Sequence, residues 1–528
     1  MHTAYLKNQS TKIMSKLTTS VWNAAFKGNV PEILMDCCDN QEAYNIKRQV
    51  FNRRFQFKPA AIVFCESSQQ VSEVLLLAEE LNYDIRVRSG GHDHEGESCA
   101  TDTIVIDLSK MKNVEVDHAM EVARIQPGII FNELIPILNK NNVGIPHGTC
   151  GTVGIPGFTM GGGWGPWTRQ KGMCCEHLVG ATIVLGDGSI KYLTEDGEDN
   201  QLLWALRGGG GMSYGIVTEL VIKTFPLPPN TIKFNVVWEN APGLKVLELW
   251  ESLIAPDQNY NLLGTNLKIM AKPSSNEPVE TSIHECVFYG YYAGSTESLR
   301  EDMNVWFANL TPTTINIPDE DDKNNLMGFS AWDRISTAGR KMNLKGFNNL
   351  TFIPPDLDDP APHKISSKLV KEEGLGDEGR KNLIRSLEST LIYSAGDEAG
   401  VHCYVTLGAI TGDYYKKYKP EEHPLGSAFP YKKRPYTIQY QVWWNSNPED
   451  IEKGKEHDVY RYTNEALDWI EQCRDNHFPQ TEGSFISFKD SSIPTKNYFL
   501  DSYEPLKNIK LTYSKDPKNR FRSRKTII

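Results

Sequence analysis

The chain has 528 residues and a mass of 59.6 kDa, more than one hydrophobic core usually serves, so we expect two lobes or domains. Hydrophobic residues make up 39% and charged residues 23%, which excludes a disordered or fibrous protein. The net charge of -11 argues against a nucleic-acid partner, because it would repel a phosphate backbone.

Neither a signal peptide nor a membrane span is predicted. The N-terminal residues lack a long apolar core, and no stretch approaches about 18 consecutive apolar residues. We therefore expect a cytoplasmic protein with no membrane partner. The ten cysteines are scattered and include two adjacent pairs, so most should be buried reduced thiols and not a disulfide framework. The basic run from Lys518 to Lys525 is interpreted as a solvated tail.

Apolar periodicity predicts regular elements along the whole chain. Before residue 226 we expect a strand at 60–65, a helix capped by Ser67 or Ser68, strands at 84–88, 103–108 and 216–224, a hairpin at 114–125 and a helix at 131–140. A proline cluster near 226–229 is the predicted lobe boundary. After it we expect strands at 233–238, 402–410 and 436–444 and helices at 243–254, 297–310 and 458–473.

Three glycine-rich stretches lie in the first 215 residues, at 88–96, 144–165 and 207–215. Glycine permits close backbone approach and can aim successive N–H groups at an anion, although an isolated pair is more often a tight turn. None of the three fits the dinucleotide pattern GxGxxG or the Walker A loop. The one GxGxxG match, Gly374 to Gly379, follows charged residues instead of an apolar strand, and we interpret it as a charged surface loop.

His92 lies inside the first glycine-rich stretch, where core packing does not call for an imidazole. With His94 it forms a His-x-His pair, so a metal site is a rival interpretation, although no third ligand is suggested nearby. The run from Cys174 to His177 lacks CxxC spacing and is interpreted as buried structural residues.

Around His92 and Cys150 the chain resembles the berberine-bridge-enzyme-like FAD-linked oxidases of the vanillyl alcohol oxidase superfamily. Arg88-Ser89-Gly90-Gly91-His92 resembles the pyrophosphate loop with its flavin-linked histidine. The stretch from Gly148 to Gly154, followed by Gly161-Gly162-Gly163, resembles the segment with the flavin-linked cysteine. The stretch from Trp204 to Gly211, with the residues from Gly215 to Thr218, resembles a third FAD-contacting segment. A weaker match runs from Asn497 through Tyr503 to Phe521.

The resemblance implies an α+β fold: a PCMH-type FAD-binding lobe of two α/β subdomains, and a substrate lobe with an antiparallel β-sheet covered by helices. It divides the chain into an N-terminal segment (1–50), an FAD-binding domain (51–228), a substrate-binding domain (229–473) and a C-terminal segment that returns to the FAD domain (474–528). The oligomeric state is not indicated.

The resemblance also implies FAD held by two covalent bonds, through His92 and Cys150. The cofactor-binding residues that it implies are Arg88, Ser89, Gly90, Gly91, His92, Asp93, His94, Cys150, Thr152, Val153, Gly154, Gly161, Gly162, Gly215, Val217 and Tyr503. Val153 stands at a position that resembles an oxygen gatekeeper, where valine accompanies oxidases; plain core packing is the lesser alternative. We therefore expect molecular oxygen as the electron acceptor and hydrogen peroxide as a product.

Oxidising an alcohol requires a base for the hydroxyl proton. Family members often use a tyrosine near the C-terminus, but here Phe485 and Phe488 stand at both ring positions. The strand at 402–410 makes Tyr404 the first candidate base and His402 the second, and Gln439 is the predicted substrate contact.

The resulting prediction is an FAD-dependent oxidase that takes hydride from a carbon of a small alcohol or carbohydrate-like molecule. Two alternatives stay open. One is a tailoring oxidoreductase of secondary metabolism, which oxidises or cyclises a specialised scaffold. The other is a flavin-binding protein with weakened catalysis, which the two phenylalanines suggest.

Overall fold

Three large β-sheets and one two-stranded sheet, flanked by helices, organise the computed structural model, which describes residues 17–36, 40–228, 230–259, 261–317, 360–392, 401–444 and 463–528. The strands before the proline cluster are β1 (Glu32–Leu34), β2 (Ala61–Phe64), β3 (Ile85–Arg88), β4 (Ile104–Asp107), β5 (Val114–Asp117), β6 (Val122–Ile125), β7 (Val143–Gly144), β8 (Leu178–Val184), β9 (Ile190–Thr194), β10 (Ile216–Lys223) and β11 (Phe225–Pro226). Those after it are β12 (Thr231–Pro242), β13 (Leu262–Met270), β14 (Ile283–Ala293), β15 (Thr314–Asn316), β16 (His363–Leu369), β17 (Val401–Ala409) and β18 (Tyr436–Trp444).

The helices of the described residues follow the same chain order. They are α1 (Thr19–Ala25), α2 (Gln41–Lys47), α3 (Ser68–Leu81), α4 (Phe131–Lys140), α5 (Ile155–Met160), α6 (Thr168–Lys171), α7 (Asn200–Leu206), α8 (Gly243–Ile254), α9 (Thr296–Trp306), α10 (Gly376–Ser386), α11 (Asp413–Lys417), α12 (Thr463–Asp475), α13 (Lys496–Phe499) and α14 (Tyr503–Tyr513). The residues of the predicted helix at 458–462 and Pro229 of the proline cluster lie outside the described residues.

Two of the large sheets, and the two-stranded sheet of β7 and β11, belong to the first lobe. In the order β1-β2-β4-β3, the strands β2, β4 and β3 are parallel, and the helix α3 connects β2 to β3. Helix α3 begins where the Ser67 side chain accepts a hydrogen bond from the Gln70 N–H, and it ends at Asn82 in the left-handed conformation. The other large sheet, β5-β6-β10-β8-β9, is antiparallel throughout. The first glycine-rich stretch follows strand β3, and the third precedes strand β10.

The second lobe is one antiparallel sheet of seven strands, in the order β15-β12-β14-β13-β17-β18-β16. Successive side chains of a strand point to opposite faces. In β12, Phe234, Val236 and Trp238 join the core with helices α8, α9, α10 and α12, so the helices cover one face. Residues Asn266, Thr406 and Gln439 belong to the opposite face and line a cavity toward the first lobe. The predicted α+β class is confirmed.

Strands β13, β14 and β16 were not predicted from the pattern, because they carry polar residues that the fold buries. In β16, for example, the buried Lys364 pairs with Asp490 at 2.7 Å, and the half-buried Lys368 donates to the carbonyl oxygens of Arg474 and Asn476 at 2.6 and 3.1 Å. The partners lie more than 100 residues away along the chain, so no local pattern reveals them.

Two other predictions are corrected. The GxGxxG match is not a charged loop throughout, because helix α10 begins at Gly376. The basic run near the C-terminus is not a solvated tail. Arg520 is buried and pairs with Asp516 and Glu79 at 3.5 and 3.2 Å, and Arg524 pairs with Glu95 at 3.4 Å. The cations are bound by carboxylates of the first lobe.

Seven of the eight cysteines of the described part of the chain are buried free thiols, and Cys150 is half-buried. Cys37 and Cys38 lie outside the described residues. No helix of those residues is both long enough and apolar enough to cross a membrane.

Candidate active site

A cavity of about 340 Å³ lies between the two lobes and collects most of the predicted site residues. Its lining includes the predicted residues Ser89, Gly90, Gly91, His92, Asp93, His94, Cys150, Val153, Gly154, Gly161, Gly215, Val217 and Gln439. They come from all three glycine-rich stretches and from strand β18, which lie far apart in the sequence. The fold thus brings His92 and Cys150 to one cavity.

The first two glycine-rich stretches meet backbone to backbone. A Cβ atom on Gly90 would lie 2.6 Å from the Gly154 nitrogen and 2.9 Å from the Thr152 carbonyl oxygen, closer than real atoms approach. Gly154 is in turn packed against Ser89 and Gly90. Only glycine allows this contact, which places the loop of His92 beside the loop that follows Cys150.

Other glycines leave room in the cavity for the FAD that the resemblance implies. A Cβ atom on Gly157 would meet nothing within 4 Å, and one on Gly211 would meet only the Met160 methyl group at 3.5 Å. Both residues line the cavity, so side chains there would occupy its space. A cavity walled by bare backbone suits a large, flat cofactor that must approach the chain closely.

The His92 ring is held by an aromatic neighbour that the site prediction did not include. Its centroid lies 3.5 Å from that of Phe51, with the rings stacked at 21°. Phe51 also lines the cavity and packs edge-on against Trp443 at 6.3 Å. Stacking fixes the plane in which the imidazole faces the cavity.

His94 takes part in a pair of imidazoles. Its Nδ1 lies 2.9 Å from Nε2 of the buried His363, whose Nδ1 lies 2.8 Å from the Ala361 carbonyl oxygen. Burial, and then the charge of His92, lower the pKa of His94 to about 3. Burial also lowers the pKa of His363 well below its usual value. Both rings are therefore neutral at neutral pH. In the part of the chain that the structure describes, no three metal-ligating side chains cluster.

Lys489 supplies a buried charge at the same wall. Its ammonium lies 2.7 Å from an Asp93 carboxylate oxygen and 3.4 Å from one of Glu97. Burial disfavours the charged ammonium, but the two carboxylates outweigh it and raise the pKa of Lys489. Burial likewise opposes the charge of Asp93, but Lys489 outweighs it and lowers the pKa of that carboxyl. The cavity wall here carries an ion pair between Lys489 and Asp93.

The second lobe presents neutral polar groups to the cavity. Gln441 Oε1 accepts hydrogen bonds from the Tyr404 hydroxyl at 3.1 Å and the Trp443 indole N–H at 3.2 Å, so its amide nitrogen faces Thr406 at 3.3 Å. Because an indole N–H can only donate, this orientation of the amide is fixed. Asn266 is largely buried, and its Oδ1 has no hydrogen-bond partner among the described residues.

Six predicted site residues do not line the cavity: Arg88, Thr152, Gly162, Tyr404, His402 and Tyr503. Arg88 pairs with Asp107 at 2.6 Å. Tyr404 is fully buried and its hydroxyl donates to Gln441, which lines the cavity. The His402 ring packs beside the Tyr404 ring with centroids 5.1 Å apart. The geometry therefore gives Tyr404 and His402 no direct contact with the cavity.

Several lining residues were missed by sequence reasoning, namely Phe51, Asn266, Tyr289, Gln441, Trp443 and Lys489. The strand alternation around Gln439 could have found Gln441, since residues two apart share a face. Phe485 and Phe488, the residues at the usual tyrosine positions, also line the cavity.

The sequence matches the FAD binding domain family over residues 59–194. It is 27% identical to Berberine bridge enzyme-like 21 of Arabidopsis thaliana over 91% of this chain and 85% of that protein. It is 25% identical to an uncharacterised FAD-linked oxidoreductase of Bacillus subtilis over 92% of this chain and 94% of that protein.

Solved structures share the fold. Berberine bridge enzyme from Eschscholzia californica superposes with a TM-score of 0.74 at 21% identity, over 96% of this chain and 98% of that chain. An Acremonium strictum glucooligosaccharide oxidase, described as having a novel flavinylation, superposes with a TM-score of 0.72 at 20% identity, over 96% of this chain and 98% of that one.

Proposed function

Because the chain resembles the berberine-bridge-enzyme-like FAD-linked oxidoreductases, we propose that it is an oxidase that removes hydride from a carbon of a small alcohol or carbohydrate-like substrate. When bound, FAD supplies the hydride acceptor and, on reoxidation by molecular oxygen, the route to hydrogen peroxide. Residues 51–228 with 474–528 form the cofactor domain of this proposal, and residues 229–473 form the substrate domain.

We assign the two covalent attachments of FAD to His92 and Cys150. The observation that carries the assignment is that both side chains line one cavity, although 57 residues of sequence lie between them. Cys150 is half-buried, whereas the other described cysteines are buried and have no access to a cofactor. Phe51 holds the His92 ring at the cavity wall by stacking.

Reaction with oxygen is supported by Val153. It lines the cavity three residues after Cys150, and its side chain is small and apolar. A bulkier side chain there would occupy space beside the cofactor loop. We therefore assign oxygen, and not a separate protein acceptor, as the oxidant.

A neutral hydroxylated substrate is supported by the lining of the substrate lobe. Asn266, Thr406, Gln439 and Gln441 present amides and a hydroxyl, and Trp443 presents an aromatic face. Amides can both donate to and accept from hydroxyl groups, and aromatic rings bury the apolar faces of a small molecule. No described residue of 229–473 that lines the cavity is charged.

The attachment is tested first by denaturing the purified protein in acid and measuring, by absorbance and intact mass, whether FAD stays with the polypeptide. We expect FAD to stay with the unmodified polypeptide and with each single variant, His92→Ala or Cys150→Ala. The double variant should release its FAD. A Cys286→Ala variant is the matched control, because that cysteine is buried away from the cavity. Release of all flavin from the unmodified protein would refute the covalent assignment.

The activity is tested by peroxide release with sugars and simple alcohols. Peroxide with any of them supports the oxidase. Inactivity on all sugars, but bleaching of the flavin by a bulkier scaffold, would favour a tailoring enzyme of secondary metabolism. A flavin that only dithionite bleaches would indicate a flavin-binding protein with weakened catalysis.

A further inference from the structure

Phenylalanine stands at both positions of the cavity wall where the related enzymes often have a tyrosine base. Phe485 and Phe488 both line the cavity and neither can take a proton. The Phe488 ring nevertheless has an ionisable neighbour, since its centroid lies 5.8 Å from the His94 imidazole. An imidazole therefore stands beside the ring that lacks the hydroxyl.

The hydrogen bonds around this imidazole determine where its proton sits. The Ala361 carbonyl oxygen can only accept, so Nδ1 of His363 carries the hydrogen of their 2.8 Å bond. Nε2 of the neutral His363 is then an acceptor, and Nδ1 of His94 must donate across the 2.9 Å bond. His94 Nε2 is left with a lone pair, and no group of the described residues donates to it.

The pair is also held in place. The buried Asn52 amide donates to the carbonyl oxygens of His94 and His363 at 2.6 and 2.9 Å, and its oxygen accepts from the His363 N–H at 3.2 Å. The His363 ring stacks on Trp443 with centroids 4.0 Å apart. His363 cannot rotate without breaking these contacts, so the direction of the His94 lone pair is set by the fold.

We propose that His94 is the catalytic base of the oxidation, accepting the hydroxyl proton of the substrate at Nε2, with Asn52 and His363 as its positioning residues. The inference rests on the proposed function. In the step, the C–H bonding pair leaves carbon as hydride to FAD and the O–H bond breaks. Its proton binds to Nε2 of His94, and the O–H electron pair forms the second bond of the C=O group.

The charged and titratable groups around His94 determine that its ring is unprotonated before the step. Burial, His92 and Lys489 all lower the pKa of His94, and Asp93 raises it, with a result of about 3. The ring is thus a free acceptor throughout the neutral range. The imidazolium formed in the step lies next in sequence to the Asp93 carboxylate, and it returns its proton to solvent through the cavity.

The test compares holoenzyme variants by stopped-flow bleaching of the flavin with glucose, cellobiose and benzyl alcohol. His94→Gln keeps an acceptor oxygen but cannot hold the proton, so we expect the reduction rate to fall about 100-fold or more. Covalent FAD content should stay unchanged. Adding Phe488→Tyr to His94→Gln should raise the flavin reduction rate at least about 10-fold above that of His94→Gln alone. The new phenol would stand beside residue 94 and could take the proton. His177→Gln, at a buried histidine outside the cavity, is the matched control and should react at the unmodified rate.

A second readout does not depend on activity. In ¹⁵N-histidine-labelled holoenzyme, the His94 signals, assigned by their loss in His94→Gln, should show Nδ1 protonated and Nε2 unprotonated between pH 5 and 8. A protonated Nε2 would overturn His94 as the base, and so would a His94→Gln reduction rate equal to that of the unmodified protein. Neither result would contradict the proposed oxidase function. Loss of FAD from His94→Gln would also overturn His94 as the base, in favour of a role in holding cofactor. Failure of all three alcohols to bleach the unmodified flavin would overturn both proposals.

Discussion

Gly90 and Gly157 both line the cavity, yet their surroundings differ in kind. A methyl group at Gly90 would meet the backbone of Gly154 at 2.6 Å, whereas one at Gly157 would meet nothing within 4 Å. The first glycine allows two loops to touch, and the second leaves space inside the cavity. The two glycines therefore serve different physical purposes.

Alanine substitution should separate the two roles. Gly90→Ala forces two backbone segments apart, and we expect it to lower the free energy of unfolding by about 2 kcal/mol, as overpacking does. Gly157→Ala should leave that free energy within about 1 kcal/mol, because alanine suits a helix better than glycine does. Urea unfolding followed by circular dichroism measures both.

FAD content gives the complementary result. The Gly157→Ala methyl group stands in the cavity, so FAD content per polypeptide should fall although the fold persists. Equal stability of the two alanine variants would contradict the backbone contact between the loops of Gly90 and Gly154.

At the scale of elements, the C-terminal end of helix α8 depends on an arginine from the first lobe. Arg169 is buried and donates to the carbonyl oxygens of Ile254 and Gln258 at 3.3 Å each, and also to that of Leu262. Burial lowers the pKa of Arg169 to about 10, so the guanidinium keeps its charge at neutral pH. The last carbonyls of a helix need donors, and here a guanidinium supplies them.

Removing this guanidinium should cost stability. Arg169→Met leaves several buried carbonyl oxygens unpaired, and we expect the free energy of unfolding to fall by about 3 kcal/mol. The free energy of unfolding of Arg169→Lys should lie between those of the unmodified protein and Arg169→Met, since one ammonium cannot reach all three oxygens in the same geometry. Arg385→Met removes an exposed arginine and should stay within about 0.5 kcal/mol in the same urea titration. A loss for Arg169→Met no larger than for this control would refute the capping role.

At the scale of the whole molecule, a buried ion cluster joins three distant parts of the chain. Lys364 of strand β16 pairs with Glu95 of the first glycine-rich stretch and with Asp490 of the C-terminal segment. Arg54 and Arg524 also pair with Glu95, at 3.3 and 3.4 Å. The two lobes therefore share charges that neither could bury alone.

Buried histidines make the stability of the molecule depend on pH. Burial lowers the pKa of His147 and that of His177 to about 4. In the unfolded chain an imidazole binds a proton below about pH 6.5, while these folded rings stay neutral down to about pH 4. The unfolded state therefore binds more protons in this range, and the free energy of unfolding falls as the pH decreases from 6.5 to 4.

We expect His147→Gln to reduce this dependence. Between pH 7 and pH 5, one such histidine lowers the free energy of unfolding by about 2 kcal/mol. The fall in the free energy of unfolding should therefore be smaller by this amount in His147→Gln. Urea unfolding at the two pH values measures it. His118→Gln, at an exposed histidine, should keep the full dependence. If His147→Gln showed the same fall as the unmodified protein, His147 would not be neutral in the folded state.

Local patterns sufficed for much of this molecule. Helix 131–140 and strand 436–444 have their predicted bounds, because apolar periodicity and turn residues act within a few residues of one another. The α+β class and the resemblance to berberine-bridge-enzyme-like FAD-linked oxidases are confirmed, since the motifs around His92 and Cys150 are short and continuous.

Other features were decided only by tertiary structure. The strands with Asn266 and Lys364 bury polar residues whose partners lie in distant segments, so their sequences do not read as strands. The neighbours of His94 are likewise non-local: His363 is 269 residues away, and their hydrogen bond selects the tautomer. Tyr404 was the favoured base by sequence, but its hydroxyl is turned to Gln441. Sequence predicted which segments carry the glycine-rich loops of the cavity, because those patterns are local. Tertiary structure decided which side chains face the cavity, because that depends on which strands become neighbours.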